Sequence, residues 1–396
     1  MADVFNFCGK IALGKDSDKF HPVDRREFKS GWMNTTVKFN CISGTSRILC
    51  TTQGGKWKDD SRNTIMTYGK STTDANGKVI KGDKLEISWA KRFDEDQIDK
   101  VAGFRKFTCD TGDTKMRYKL QDIVDGKAEI SDELIQDGLD TMDAVKTALE
   151  KSKAKKKVFL SEWDFAEHMA KVAASDKFKD RLFYISGTYD VQYSPDKDRF
   201  YTNYHVNKVV LAPADAEPKT ELKIDFYLGE NAFNDSQYEE TEKCHVNGWV
   251  SYYDSGLKKN GFSPIVVTIK ESEKKTAGLK KKLAVEEGIK QVGLTLNVIE
   301  GAEVVEITMD MLDDETREDI ELGLLDFEEV KKAMGGNAMG DRVSELRFAE
   351  LTPKKNKLQD TIYNADDMHA AREEVIVDTT DEDDIDIFDE DEDDDL

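Results

Sequence analysis

Short runs that alternate apolar and polar residues, each bounded by turn formers, limit this chain more than any other feature. In 34–43, Val37, Phe39 and Cys41 alternate with Thr36, Lys38 and Asn40, and in 84–92 Leu85, Ile87 and Trp89 alternate with Glu86, Ser88 and Ala90. A period of two places one set on a buried face and the other in water, so each run predicts a half-buried strand. Further runs lie at 4–13, 46–53, 62–69 and 104–109, and Gly54-Gly55 and Asn76-Gly77 read as hairpin turns. Short strands this closely spaced predict a small barrel or sandwich. The pattern returns at 183–193, 199–211, 221–229, 244–254 and 262–270, with turn residues such as Ser194-Pro195-Asp196 between. The same kind of five-stranded unit is therefore expected twice, although no residue-level repeat joins the copies.

The period changes between these batches. Ile135, Leu139, Met142, Val145 and Leu149 recur at helical spacing behind Ser131 as N-cap, and a Lys-rich joint follows at 151–157. Ser161 with Asp164 opens another helix, whose apolar stripe is Phe165, Met169 and Val172. Residues 271–351 mix a Lys-rich helix (276–289), strands at 292–299 and 303–309, and two acidic helices, the second capped by Asp326. The expected fold class is mainly β with helical connections (α+β): two OB-like five-stranded barrels, a mixed α/β C-terminal region and a disordered acidic tail. The expected boundaries are a basic OB-like barrel at 1–120, a helical connection at 121–181, a second OB-like barrel at 182–270, the mixed region at 271–351 and an extended tail at 352–396.

Charge divides the chain more sharply than its net value of −23 suggests. Residues 1–120 carry 23 basic and 16 acidic side chains, 301–330 carry 1 and 12, and 378–396 carry 13 acidic side chains and no Lys or Arg. A basic first unit with an acidic end suits nucleic-acid binding joined to an interaction tail. Composition excludes other classes. No apolar run reaches the ~18 residues of a membrane span, and the N-terminus lacks a secretory pattern, so a cytoplasmic protein is expected. The five cysteines form no C-x-x-C pair and are expected to be reduced packing residues. Walker, nucleophile-elbow, zincin and Rossmann patterns are absent, the five histidines are scattered, and the expectation is a non-enzyme with no cofactor and no metal.

What the sequence does supply is rings beside cations. Trp57 lies between Lys56 and Lys58, with Lys38 and Arg62 nearby in sequence; Lys91, Arg92 and Phe93 follow Trp89; Arg105, Lys106 and Phe107 follow Phe104; and Arg117, Tyr118 and Lys119 form another interleaved set. Tyr201, Trp249 and Tyr253 sit on the more polar faces of the second batch of strands. Bases stack on aromatic faces at ~1–3 kcal/mol each while Lys and Arg follow the phosphates, so these residues are the candidate single-strand contacts. Trp32, Phe39 and Trp89 lie on apolar strand faces and read rather as core. In the tail, Ile385, Ile387, Phe388 and the terminal Leu396 are set among acids that include Asp384 and Asp386, which suits docking on a basic-rimmed apolar pocket of a partner.

Small barrels with ring-and-cation surfaces and an acidic, apolar-studded tail together resemble the bacteriophage single-stranded DNA-binding proteins. The resemblance covers the plan of about 1–270 and, more specifically, 381–396. It implies sequence-tolerant binding of single-stranded DNA in replication or recombination, with replication or recombination proteins recruited by a tail that competes with DNA. It implies no membrane partner and leaves room for self-association. The tail departs from the bacterial pattern, because Ile387-Phe388 is internal, no proline is present and Leu396 is last. The competing expectation is an acidic-tailed interaction or assembly factor that does not bind DNA.

Overall fold

The computed structural model describes residues 3–74, 77–194, 199–254, 259–306, 308, 309, 312–333, 337–352, 359 and 360. The expected partner-binding residues Asp384, Ile385, Asp386, Ile387, Phe388 and Leu396 lie outside these.

The chain opens with β1 (Val4–Leu13), β2 (Val23–Glu27), β3 (Trp32–Ser43) and β4 (Ser46–Trp57). Next come the hairpin strands β5 (Thr64–Tyr68), β6 (Thr72–Thr73), β7 (Val79–Ile80) and β8 (Lys84–Ser88), then α1 (Glu95–Lys100) and β9 (Phe107–Asp110). Helices α2 (Thr114–Val124), α3 (Asp132–Gln136) and α4 (Met142–Lys153), strand β10 (Lys156–Phe159) and α5 (Glu162–Ala173) lead to β11 (Leu182–Ser194) and β12 (Arg199–Leu211). The remainder is β13 (Lys219–Leu228), β14 (Phe233–Asn234), α6 (Tyr238–Thr241), β15 (Cys244–Asp254), β16 (Lys259–Ile269), α7 (Glu273–Leu283), β17 (Lys290–Glu306), α8 (Asp314–Glu321), α9 (Phe327–Ala333), β18 (Asn337–Leu351) and β19 (Gln359–Asp360).

Strand pairing closes two rings. In barrel one, β1 pairs with β3, β3 with β4, β4 with β12 in parallel, β12 with β11, and β11 with β1. In barrel two, β13 pairs with β15, β15 with β16, β16 with β18 in parallel, β18 with β17, and β17 with β13. Each ring thus runs first, second, third, fifth, fourth, with the third and fifth strands parallel and a helix (α5 or α7) between the third and fourth. That is the Greek-key arrangement of an OB-like barrel. The protein is mainly β with helical connections.

This pairing redraws the expected boundaries. Strands 182–211 close barrel one, not a second barrel at 182–270, and 290–351 supplies the last two strands of barrel two rather than a separate mixed region. Residues 58–181 are one long insertion between the third and fourth strands of barrel one. Local alternation reports that a segment is a strand, but not which partner it meets across 124 intervening residues.

Inside barrel one the inward positions are almost fully apolar. Phe5, Val37, Phe39, Cys41, Cys50, Phe183, Ile185, Val206 and Val209 are all at 0% exposure. The five cysteines are buried and free, and burial pushes the Cys41 and Cys109 thiols up to about 12. The first strands of the two barrels pair antiparallel, from Val4 opposite Lys223 to Cys8 opposite Lys219, and one apolar core runs through both rings.

Within the insertion, α2 and α4 pack over a separate small core of Leu120, Ile123, Leu134, Val145 and Leu149. The helix expected over 131–150 is two pieces, because Gly138 takes φ +79° after α3. Helix α5 begins as expected, with the Ser161 hydroxyl accepting from the Asp164 N–H. Gly54-Gly55 is not a turn; both glycines lie inside β4. A Cβ on Gly54 would lie 2.2 Å from the Trp163 nitrogen and 2.3 Å from the Glu162 carbonyl carbon, so the start of α5 rests directly on β4. The actual turn after β3 uses Gly44 at φ +60°.

Candidate nucleic-acid interface

Alternation along β3 and β4 sends odd and even positions to opposite sides. Thr35, Val37, Phe39 and Cys41 point inward, and Trp32, Asn34, Thr36 and Lys38 outward; on β4, Thr51, Gln53, Gly55 and Trp57 share that outer face. Trp32 and Trp57 are direct cross-strand partners. Their rings meet edge to face, with centroids 5.2 Å apart at 76°. Gly55 makes this possible, since a Cβ there would lie 2.2 Å from the Trp32 ring.

Trp57 is held by a purpose-built loop. Its N–H donates to Asn63 Oδ1 at 2.7 Å, and Asn63 Nδ2 donates back to its carbonyl at 2.9 Å. Asp59 caps the intervening turn through the Ser61 N–H. The loop then lays the Arg62 guanidinium 3.6 Å from the Trp57 ring centroid, a cation–π stack. Lys58, on the rim, donates to Glu27 at 2.8 Å. Two adjoining grooves meet at the tryptophan pair. One, of about 600 Å³, reaches Phe28, Asn34 and Gln53; the other, of about 640 Å³, runs under Arg62, Met66, Phe104 and Arg105 to Thr188, His205 and Asn207. Glu162 lines both grooves, and burial raises its carboxyl above the ordinary range against a smaller opposing pull from His205.

The expected contacts divide into groups. Trp57, Arg62 and Arg105 converge on these grooves, and Phe107 lines one of them while also packing on Phe165 at 5.5 Å. Lys38 is on the same outer face of β3, its ammonium 5.6 Å from the Phe20 ring centroid. Lys106 and Tyr118 line a neighbouring cleft. Lys91 and Phe93 are exposed, the latter with the Arg92 guanidinium 4.3 Å from its ring centroid, and Lys119 is tied to Glu133 at 2.9 Å. Tyr201 lies near the start of β12 with Arg199 5.6 Å from its ring, and Tyr253 near the end of β15.

Four of the expected contacts are engaged elsewhere. Lys56 alternates to the side opposite Trp57, where it pairs with Asp60 at 3.0 Å and lies between the Trp89 and Trp163 rings. Arg92 is held by Asp164 at 2.7 Å and Arg117 by Asp110 at 2.6 and 2.7 Å, both pairs largely buried. Trp249 packs against Tyr227, Phe262 and Ile289. Sequence reasoning passed over Asn34, Gln53 and His205 and set Trp32 with the core. Trp32 was legible in principle: it shares parity with Asn34, Thr36 and Lys38 on a strand whose other parity is apolar. Phe39 and Trp89 are core, at 0% and 6% exposure.

No family model and no curated protein matches the chain. Among solved structures, the wild-type single-stranded DNA-binding protein of Thermus aquaticus is similar at 7% identity and a TM-score of 0.28, covering 75% of this chain and 85% of that one. A deletion mutant of the same protein gives 8%, 0.28, 75% and 86%. Scores at this level bear on neither fold nor function. Among the described residues no helix is long and apolar enough to cross a membrane, and no group of three or more His, Cys, Asp or Glu could hold a metal ion.

Proposed function

We propose that the protein binds single-stranded DNA, without strong sequence preference, along the outer face of barrel one. The observation that carries this reading is the Trp32–Trp57 pair, set among Asn34, Thr36 and Gln53 on an open strand face with Arg62 stacked on one ring. Rings presented from a rigid barrel stack on any base, and Arg62, Arg105, Lys58 and Lys38 can follow the phosphates. Duplex DNA hides its base faces and would gain only the electrostatic part. The acidic residues 378–396 would serve as a recruiting and competing segment toward replication or recombination proteins, as in the phage-type binders the chain resembles.

The test is fluorescence anisotropy of labelled oligo-dT and of the matching duplex at two salt concentrations. Salt-sensitive binding of the single strand, well above that of the duplex, is expected. Failure of the full-length protein to bind oligo-dT at low salt would overturn the reading and favour an assembly factor whose ligand is a protein.

A further inference from the structure

A third cavity, of about 1050 Å³, lies beyond the tryptophan grooves. Its walls come from the insertion and from barrel one: Lys106 and Thr108 near and on β9, Lys156 and Val158 on β10, Tyr118 on α2, and Asn207 and Lys208 on β12. Strand β9 pairs in parallel with β12, with Thr108 opposite Lys208, and β10 pairs with β9, so backbone hydrogen bonds hold these lysine-bearing segments side by side. None of Lys106, Lys156 and Lys208 has an ion-pair partner among the described residues. Two other cations of the lining are satisfied, Arg117 by Asp110 and Lys153 by Glu150 at 3.2 Å, and Asp99 is the other acid lining the cleft.

Uncompensated lysines held together cost free energy that an anion would recover. Lys106 registers that cost: burial lowers its pKa, Lys70 and Lys156 lower it further, and Asp99 offsets part. At the mouth, two rings have little covering, Phe104 at 74% and Tyr118 at 69% exposure. The cleft is also continuous with the site already described. Phe104 and Asn207 line both it and the groove under Arg62, and that groove shares Trp32, Gly55, Trp57 and Glu162 with the one beside Gln53. Rings and cations therefore follow one another along a single path across the barrel and into the insertion.

We propose that this cleft is a second subsite for the same single strand: the chain leaves Trp57 over Phe104 and runs its phosphates past Lys106, Lys156 and Lys208, with Tyr118 receiving a base. The inference rests on the single-strand reading above and gives the insertion a role that a bare barrel cannot supply. It makes the footprint longer than one barrel face.

Anisotropy with oligo-dT of about 6 and about 20 nucleotides, within and above what one OB barrel spans, separates the two claims. The triple variant Lys106→Ala, Lys156→Ala, Lys208→Ala should bind the short oligonucleotide like wild type. For the long one, its slope of log affinity against log salt should be shallower by about 2, as expected for three lost phosphate contacts on a single strand. Tyr118→Ala should lose roughly tenfold for the long oligonucleotide only. A second measurement needs no variant: acetylation of Lys156 and Lys208 in the full-length wild type should be blocked by the long oligonucleotide and not by the short one. Equal affinity and salt slope in the triple variant, or undiminished acetylation with the long strand bound, would overturn the subsite and leave the tryptophan face standing. Blocked acetylation before any DNA is added would assign the cleft to the chain's own acidic segment instead. Loss of wild-type binding to both lengths would overturn the underlying reading.

Discussion

The two barrels share one strand order and differ in what they do with the same outer face. In barrel one, the second and third strands show water a polar surface with two tryptophans, and the Arg62 guanidinium is stacked on one of them. In barrel two, the equivalent strands are β15 and β16, where Tyr253 stays 64% exposed but the outward tryptophan is packed. Trp249 packs with Tyr227, Phe262 and Ile289, three residues between 1% and 7% exposed. The connection between third and fourth strands differs as well: α7 is the only element in barrel two's connection, whereas 58–181 fills it in barrel one. Inward positions fix the ring in both, while outward positions decide whether the ring is a platform or a scaffold. A fold shared between two regions therefore says little about shared function.

The sharpest way to break the comparison is to loosen the insertion that only barrel one carries. Asp110 and Arg117, at 5% and 14% side-chain exposure, join β9 to α2, and Arg117 also reaches the Ser152 carbonyl on α4 at 3.0 Å. Asp110→Ala strands a buried guanidinium and should lower stability by about 3–5 kcal/mol in urea unfolding. Burial alone would raise the Asp110 carboxyl, but the bonds from Arg117 and the Gly112 N–H outweigh it and hold the carboxyl below its ordinary value. A depressed carboxylate contributes stability above its unfolded pKa and loses it as pH falls through the folded one. The wild type should therefore lose stability in acid more steeply than the variant. Equal acid slopes would mean that the pair does not anchor the insertion.

The next two variants divide the barrels by readout. Trp249→Ala empties a packed position in barrel two and should cost about 3 kcal/mol of stability while leaving oligo-dT affinity unchanged. Trp57→Ala should do the reverse, weakening oligo-dT binding by about 1–3 kcal/mol with a small change in melting temperature. If Trp249→Ala weakens binding with the fold intact, the face of barrel two is a platform after all and the contrast fails.

How much of this was legible beforehand depended on whether the signal was local. Strands β1, β12 and β15 match the runs read from alternation (4–13, 199–211 and 244–254), because side-chain parity is local chemistry. The caps at Ser161 and Asp326 were equally plain, as each is one side chain meeting a backbone N–H a few residues on. Ring membership was hidden. β4 meets β12 only through Cys50–Tyr204 and Thr51–His205, a contact made across the whole insertion. Gly54-Gly55 misled for a related reason: a glycine pair signals a turn locally, and only the tertiary structure shows α5 and Trp32 pressed against a strand there. Arg92 and Arg117 looked like DNA contacts because a sequence displays cations without the buried carboxylates that claim them.

The smallest expected effect concerns the one acid common to both grooves. The Glu162 carboxyl is held above its ordinary pKa chiefly by burial, with His205 opposing. Because the folded value exceeds the unfolded one, the folded chain keeps a proton that the unfolded chain has lost between those two values. Stability should therefore fall as pH rises through that window. The same ionisation places a negative charge in the wall along which phosphates would pass, so affinity for oligo-dT should also fall there. Glu162→Gln keeps the shape and removes both slopes, tightening binding above the window by less than about 1 kcal/mol, since the groove is open to solvent and screened. The difference between variant and wild type decides, not the wild-type profile alone. An unchanged binding slope in Glu162→Gln, with the stability slope gone, would place the phosphates on the Arg62 and Arg105 side of the groove, away from α5. That outcome would keep barrel one as the platform and narrow the strand's path across it.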